Sequence, residues 1–269
     1  MNFKDCIDSY PFILMEGALG ERLKREFDLD ISGTVAMADL IYQQKGRMAL
    51  KTLWNEYMDI AHRYQLPFLA TTPTRRANKE RVYMAGYNES IITDNVDFLR
   101  TIKETANVNM YIGGLMGCKG DAYTSERALN QEEAIAFHSW QASLFKSVGV
   151  DFLYAGIMPV LSEAIGMAVA MSDTDIPYII SFTIQRNGKL IDGHTINDAI
   201  YYIDNHVSNK PVCYMTNCVH PDIVYEALSH KFNQTQMVKN RFWGIQANTS
   251  RLSYKELDGA KNLRTSSAV

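Results

Sequence analysis

Seven short apolar segments recur along the chain, and longer segments with helical periodicity separate them. The apolar segments are nearly continuous in hydrophobic character and do not alternate with polar residues, which is typical of parallel strands covered on both faces. We therefore predict seven strands, in the segments YPFILMEG from Tyr10, LPFLATT from Leu66, NMYIGGLMG from Asn109, VDFLYAGIMP from Val150, IPYIISFTI from Ile176, PVCYMTNCV from Pro211 and RFWGIQANT from Arg241.

The segments between the strands carry apolar residues three and four positions apart, as one face of a helix does. Asn130 is followed three residues later by Glu133, which predicts a variant of the capping box at a helix start. Pro221 suits the first turn of another helix, where no backbone N–H is needed. The apolar stripes comprise Leu50, Leu53, Trp54, Tyr57, Ala61 and Tyr64; Phe137, Trp140, Leu144 and Val148; Ile200, Ile203 and Val207; and Val224 and Leu228.

Strand and helix alternate about seven times without a Pro/Gly/Ser-rich linker, which predicts one α/β domain over residues 1–269. An open, doubly wound sheet would usually carry a glycine-rich phosphate turn after its first strand, and EGALGERL does not supply one. Seven repeats in an unbroken domain instead favour a TIM-type (β/α)8 barrel.

Composition excludes several classes of partner. The chain is 46% hydrophobic and 21% charged, with a net charge of −3 and no basic run among its 27 lysines and arginines, so we expect no nucleic-acid partner. No apolar stretch is long enough to span a membrane, and the charged N-terminus does not resemble a signal peptide, so we expect no membrane association and a cytoplasmic location. The four scattered cysteines are expected to be unpaired thiols.

Catalytic groups of a barrel lie where strands end and loops begin. Cys218 stands out there because a thiolate at the rim can react or bind a soft metal. From spacing alone, the role of a small buried apolar residue is the alternative and the more ordinary one. Cys213 lies five residues earlier and projects to the opposite face of the strand, so it cannot readily join Cys218 at one metal. The strand-end positions are Glu16, Thr71, Thr72, Gly117, Cys118, Gly156, Thr183, Asn217, Cys218 and Asn248.

Three further features each have two interpretations. Glu16 is either a general base or orienting carboxylate, or it caps the following helix GERLKREF, whose N-terminus favours negative charge. His220 is either a metal ligand or a solvent-facing residue at a helix start. The tract TPTRRANKER resembles a phosphate site and also fits a solvated loop that runs into a helix.

Several motifs together resemble one known family. ILMEGALGERL is similar to a family opening LDGGxGTxL, ATTPTRRANKERV to TNTYxAN, and YIGGLMGCKGDAY to GSIGPYG. VGVDFLYAGIMPVLSEAIGMAVAM resembles AGADLLLFETIPSLxEAxA, and IPYIISFTIQRNGKLIDGHTINDAI resembles PxWISFTxxxxGRLxDGTxLxEAV. MTNCVHPDIVYEAL resembles GxNCxxPxxVxxAL, and RFWGIQANTSRLSYKELDGA resembles the YPNSGExW segment. The family is that of the homocysteine S-methyltransferases, and the likeness runs over nearly the whole chain in the right order.

The resemblance implies a zinc-dependent thiol methyltransferase. In the family, the cysteine that matches Cys218 joins two cysteines of a later GGCC motif to hold zinc, which binds the homocysteine sulfur as a thiolate. The thiolate attacks the methyl group of an onium donor such as S-methylmethionine, S-adenosylmethionine or betaine. Glu16 stands where the family has Asp and is the expected catalytic, substrate-side carboxylate. The expected substrate-binding residues are Glu16, Gly17, Thr72, Asn217 and Asn248, with Asn248 shaping a loop.

Two departures from the family pattern stand out. The chain stops at LDGAKNLRTSSAV, before GGCC and the final β/α unit would appear, and Gly156 stands where relatives have a Glu. Three explanations compete: a truncated product, a relative that lost zinc catalysis and kept a binding role for an amino-acid-like ligand, or a metal site rebuilt with Cys118. A separate hypothesis makes Cys218 the nucleophile of an unrelated barrel enzyme, with His220 as its base.

A barrel without its eighth strand has two unpaired edges, which invite pairing with another chain. We therefore expect the polypeptide either to leave a gap beside the first strand or to close it by association, as a homo-oligomer.

Overall fold

A computed structural model of the chain describes residues 1–257, and its strands fall within the seven segments that the apolar pattern predicts. The final residues of the matched segment RFWGIQANTSRLSYKELDGA, and the ending LDGAKNLRTSSAV beyond residue 257, lie outside the described residues. The strands are β1 (Leu14–Met15), β2 (Phe68–Thr71), β3 (Met110–Gly117), β4 (Phe152–Met158), β5 (Tyr178–Phe182), β6 (Cys213–Val219) and β7 (Phe242–Ala247).

Helices separate the strands, and a 3-10 helix covers Ala38–Tyr42. Among residues 1–257, none of the helices combines the length and the apolar character that crossing a membrane requires. The α-helices are α1 (Phe3–Ser9), α2 (Leu19–Glu26), α3 (Gln44–Arg63), α4 (Lys79–Met84), α5 (Ser90–Lys103), α6 (Gln131–Val148), α7 (Leu161–Ser172), α8 (Ile196–His206), α9 (Pro221–Ser229), α10 (Gln236–Arg241) and α11 (Tyr254–Leu257).

The strands follow one another in the sheet in the order of the sequence, from β1 to β7. The pairs at both ends of this order are parallel, with Leu14 opposite Phe68 between β1 and β2 and Tyr214 opposite Phe242 between β6 and β7. A doubly wound sheet would instead reverse its order at a switch point. The sequential order confirms the predicted TIM-type barrel, of which the described residues contain seven β/α repeats and not the final unit.

The described chain forms two compact units. The first comprises residues 1–116 and 137–154, and the second comprises residues 117–136 and the chain from residue 155 onward. The single domain over residues 1–269 stays a prediction, as does the homo-oligomer.

In the first unit, α3 and α5 pack against the 3-10 helix. Asn95 of α5 is fully buried, and its side-chain nitrogen donates hydrogen bonds to the carbonyl oxygens of Ala38 at 2.9 Å and Ile91 at 2.8 Å. Trp54 of α3 is also fully buried and meets the ring of Phe98 edge to face, with the centroids 6.1 Å apart. These contacts fix the 3-10 helix against both α-helices.

In the second unit, an ion pair ties α8 and α10 to the start of β6. Arg241 donates to both carboxylate oxygens of Asp204 at 3.0 Å, a bidentate geometry that is among the stronger charge-assisted arrangements. The same guanidinium donates to the carbonyl oxygens of Pro211 and Val212, and Tyr214 donates its hydroxyl hydrogen to Asp204 at 2.8 Å. The network sets where β6 begins.

The predicted helix starts are confirmed. The Asn130 side chain accepts a hydrogen bond from the Glu133 N–H at 3.0 Å, and the Glu133 carboxylate accepts one from the Asn130 N–H at 3.1 Å. Pro221 is the first residue of α9. The predicted stripe of α3 is largely buried, but Tyr64, which follows the last helical residue, is 66% exposed.

The buried face of α6 is shifted by one position along the helix relative to the predicted apolar stripe. A polar side chain explains the difference, because Gln141 is buried and donates to the carbonyl oxygen of Thr74 at 3.1 Å. Apolar periodicity alone gives no weight to such a residue. The buried positions of this helix are Ala134, His138, Gln141, Ala142 and Phe145.

Two adjacent glycines of β3 let aromatic rings approach the strand from both faces. A Cβ atom on Gly113 would lie 2.4 Å from the ring of Phe152, and one on Gly114 would lie 2.6 Å from the ring of Phe145. Both distances are far below van der Waals contact, so each ring occupies the place of a side chain.

We expect Gly113→Ala to lower the free energy of unfolding by about 1–3 kcal/mol, because the added methyl group overpacks a filled core. Urea unfolding measures the change. Gly33→Ala is the matched control, since nothing lies within 4 Å of a Cβ atom at that position. Adding Phe152→Leu to Gly113→Ala should recover part of the loss, because the ring carbons that clash are removed. Wild-type stability in Gly113→Ala would show that the ring does not fill this space.

Candidate functional site

Cys218 occupies a bulge near the end of β6. Its backbone φ is +60°, in the left-handed region, and the register between β6 and β7 shifts between Asn217 and Val219. A bulge leaves one residue out of the ladder and turns its side chain in a new direction. The Cys218 side chain is therefore half-buried while both neighbouring residues keep their pairing with β7.

The residue before Cys218 is held by the neighbouring strand. Asn217 accepts a hydrogen bond from the Ser181 hydroxyl at 2.6 Å, and its side-chain nitrogen lies 3.9 Å from the Cys218 sulfur. Cys213, at the other end of β6, is buried, and burial raises the pKa of its thiol to about 12. The four cysteines form no disulfide, as predicted, and of the two in β6 only Cys218 is partly exposed.

A cavity of about 440 Å³ opens beside Cys218. Arg186 and Asn187 border it from the segment after β5, and Arg251 and Tyr254 border it from the segment after β7. The hydroxyl oxygen of Tyr254 is buried, near the Ile184 backbone and the Thr216 side chain. Burial, and secondarily the nearby Cys218 sulfur, raise the pKa of this phenol. The volume of the cavity lies within the range of small-molecule binding sites.

Like Cys218 in β6, one residue of β4 has a left-handed backbone. Ile157 has a φ of +60°, which is unusual for a β-branched side chain, and it is buried. It directly follows Gly156, the position where the resemblance led us to expect a glutamate. No carboxylate extends from that position in this chain.

Within residues 1–257, no three His, Cys, Asp or Glu side chains are grouped closely enough to hold a metal ion. Cys118 is buried, with its sulfur 3.6 Å from the carbonyl oxygen of Gly120. A metal site rebuilt around Cys118 therefore has no complete donor set in the described part of the chain.

His220 is the N-cap residue of α9, at the helix start that one of its two interpretations predicts, but it does not face solvent. Its side chain is only 12% exposed, and its Nδ1 accepts a hydrogen bond from the Asp222 N–H at 3.1 Å. The imidazole thus caps the helix. Helix capping accounts for His220 without a metal. The capping hydrogen bond also occupies Nδ1 of the imidazole, which the nucleophile hypothesis requires as a base.

Glu16 follows β1 directly and is only 4% exposed. Its Oε1 accepts hydrogen bonds from the Thr71 N–H at 2.9 Å and the Thr71 hydroxyl at 2.5 Å. Burial raises the pKa of this carboxyl group to about 7, although the bonds from Thr71 act in the opposite direction. Glu16 does not cap α2, whose N-cap is Ala18 with no side-chain capping bond. The structure therefore excludes the interpretation of Glu16 as the cap of α2.

The other predicted substrate-binding residues have protein partners. The Gly17 carbonyl oxygen accepts a hydrogen bond from the Tyr57 hydroxyl at 2.7 Å. Thr72 is fully buried, and its hydroxyl accepts from the Leu115 N–H at 3.1 Å. Asn248 accepts from the Ser250 N–H at 2.9 Å, which shapes the turn after β7.

Sequence reasoning did not identify a buried glutamate and two tyrosines that contribute to this site. Glu163 of α7 is fully buried, and its carboxylate accepts hydrogen bonds from the N–H groups of Lys119 at 2.7 Å and Leu129 at 3.3 Å, so it holds the loop between β3 and α6 at both ends. Tyr123 of that loop stacks on Tyr254, with ring centroids 4.8 Å apart. A glutamate at a helix start and two scattered tyrosines give no periodic signal.

A model of the homocysteine S-methyltransferase family matches residues 13–265 of this chain. A homocysteine S-methyltransferase from Bacillus subtilis strain 168, YbgG, is 21% identical over 217 residues, which are 74% of this chain and 67% of that protein.

Crystal structures of the homocysteine methyltransferase MmuM from Escherichia coli are similar in fold. The metallated form has a TM-score of 0.69 at 18% identity, covering 84% of this chain and 81% of that one. The oxidized form has a TM-score of 0.69 at 19% identity, covering 84% and 80%. With the family match over most of its length, this chain belongs to the homocysteine S-methyltransferase family.

Proposed function

We propose that this protein transfers a methyl group from an onium donor, such as S-methylmethionine, S-adenosylmethionine or betaine, to the thiol of homocysteine and forms methionine. The observation that carries the proposal is the Cys218 thiol, which the bulge in β6 turns toward a cavity of about 440 Å³. Family membership supplies the reaction class.

In the proposed reaction, the bonds that form and break belong to homocysteine and the donor. The homocysteine sulfur forms a bond to the methyl carbon, the bond from that carbon to the donor nitrogen or sulfur breaks, and its electron pair stays on the donor. The thiol proton is lost. Holding the two reactants in line is therefore the main task of the site. A small, well-bounded cavity serves this task better than an open surface.

Zinc is the metal that the family resemblance implies, and an E. coli relative is described as metallated. A catalytic zinc site takes three protein ligands. Cys218 can supply one sulfur, and the described residues contain no group of three donors. Because the donor set does not fit, we derive no step of the reaction through a metal.

A second function has its own support. The incomplete donor set also suits a non-catalytic relative that binds an amino-acid-like ligand in the same cavity. The two functions differ in whether methionine is formed, not in which residues border the ligand.

We expect Cys218→Ala to lower homocysteine-dependent methionine formation by about a hundredfold, because the sulfur borders the cavity and a small loss of reactant positioning is costly. Cys213→Ala is the matched control, since that thiol is buried at the other end of the same strand. Methionine is quantified with each of the three donors, and the zinc content of both variants is measured by mass spectrometry.

The outcomes separate the hypotheses. Stoichiometric zinc that is lost in Cys218→Ala together with activity would support the metal as well as the enzyme. Full activity in Cys218→Ala would contradict the proposal. Homocysteine binding by calorimetry, with no methionine formed by the wild-type protein, would favour the binding protein.

We propose a substrate-side role for Glu16, as the carboxylate that accepts the amino group of an amino acid. Its buried carboxyl group has a pKa of about 7, so the proton and the carboxylate form are balanced near neutral pH. A cationic group nearby favours the charged form. An ammonium ligand would therefore ionise Glu16 and gain a strong partner.

Glu16→Gln tests whether this carboxyl group titrates as its burial implies. Folding raises the pKa of Glu16 from 4.5 to about 7, so the folded protein binds this proton more tightly than the unfolded chain does. The resulting stability is fully present below pH 4.5 and is lost as the pH rises through about 7. Relative to Glu16→Gln, we expect the free energy of unfolding of the wild type to fall by up to about 3 kcal/mol between pH 4.5 and pH 8.

Urea unfolding across this pH range measures the difference. Glu104→Gln, an exposed glutamate, controls for the change in net charge. Parallel pH profiles for the wild type and Glu16→Gln would show that Glu16 ionises at an ordinary pH and would remove the basis for its proposed role.

A further inference from the structure

The segment of residues 248–257, here called the strap, crosses the ends of several loops of the second unit. The Arg251 carbonyl oxygen accepts a hydrogen bond from the Arg186 guanidinium at 3.4 Å, and the Arg251 guanidinium forms an ion pair with Asp222. Ser253 donates its hydroxyl hydrogen to Glu256 at 2.6 Å, which shapes the start of α11. The strap is thus attached to the segment after β5 and to the first turn of α9.

Tyr254 makes the third attachment. Its ring stacks on Tyr123 with the centroids 4.8 Å apart and the planes inclined by 26°, a favourable aromatic geometry. Tyr123 belongs to the loop that Glu163 holds at both ends. The stack therefore joins the strap to a loop that is itself fixed.

Both rings border the cavity that contains Cys218. The Tyr254 hydroxyl lies close enough to the sulfur for the two groups to interact electrostatically. In this position the hydroxyl oxygen is buried, and the Ile184 backbone and the Thr216 side chain lie near enough to act on it. The ring stack is one of the contacts that keep the strap closed.

We propose that Tyr123 and Tyr254 form a gate over Cys218, and that the strap must move outward before a ligand reaches the thiol. The attachments are suited to opening, because the ion pair of Arg251 with Asp222 is exposed and the ring stack is a single contact. The gate goes beyond the proposed function, since it controls access in an enzyme and in a binding protein alike.

Alkylation of Cys218 by iodoacetamide tests the gate without metal, donor or substrate. The labelling rate of each cysteine is followed by peptide mass spectrometry at one fixed pH. We expect Tyr254→Ala to label Cys218 about three- to tenfold faster than the wild type, because the ring stack is lost. We expect Tyr254→Phe to label it at about the wild-type rate, because the ring stack remains.

The chain provides its own controls. Cys6 and Cys213 are buried and report global unfolding if their labelling also accelerates. Tyr225→Ala removes an exposed tyrosine of α9 and should leave the rate unchanged. If Tyr254→Ala exposes the buried cysteines as well, Arg251→Gln decides, since it loosens the strap by removing only the ion pair with Asp222. We expect about a two- to threefold faster rate for that variant.

Two results would overturn the gate. One is that Cys218 in Tyr254→Ala is labelled at the same rate as in the wild type. Where Tyr254→Ala exposes the buried cysteines, the same result in Arg251→Gln would overturn the gate. The other is an equal acceleration in Tyr254→Phe and Tyr254→Ala, which would assign the effect to the hydroxyl. Neither result depends on methyl transfer, so a failure of the gate and a failure of the proposed function are distinguishable.

Discussion

The left-handed backbone at Cys218 is the constraint on which the candidate site depends. Such a conformation costs a non-glycine residue roughly 1–2 kcal/mol, and it persists only where the surroundings determine it. Here the surroundings act from both sides. Ser181 of β5 holds Asn217 through a 2.6 Å hydrogen bond, and the N–H of Asn248 donates to the carbonyl oxygen of Val219 at 2.9 Å. With the residues before and after it fixed in the ladder, Cys218 alone is turned out of the sheet. The direction in which its thiol points is therefore a property of the strand pairing.

The fold was predictable because parallel strands covered on both faces leave a strong signal, namely runs of apolar residues between segments of helical period. The signal is weaker where tertiary contacts override it. β1 is reduced to Leu14 and Met15 although its apolar run is longer, and the inward face of α6 is shifted because Gln141 makes its hydrogen bond inside the protein. Local pattern predicts which element forms, while its ends and its inward face depend on partners that are distant in sequence.

The site was predictable in part, for the same reason. The position of Cys218 follows from counting along a strand, but the bulge that exposes its thiol depends on a register shift against β7, which no local motif encodes. Glu16 was identified at a strand end, yet its raised pKa comes from burial, a consequence of the whole fold. Tyr123 and Tyr254 are 131 positions apart and meet only in three dimensions. Residue type and position in a strand predict which groups are available, and packing determines what they can do.

Recognition and chemistry are separable in this protein. A tetrahedral catalytic zinc requires three protein donors, and residues 1–257 contain no group of three candidate donors. The cavity beside Cys218 needs no metal in order to discriminate. Two aromatic rings bound it on one side, and Arg186 and Arg251 border it as well, so shape and charge act on a ligand before any bond changes. Arg186 pairs with Glu226 and Arg251 pairs with Asp222, so the carboxylate of an amino acid would compete with these ion pairs. Under the proposed function, selection of an amino-acid ligand would survive the loss of catalysis, because the groups that border the cavity are not those that would react with the ligand.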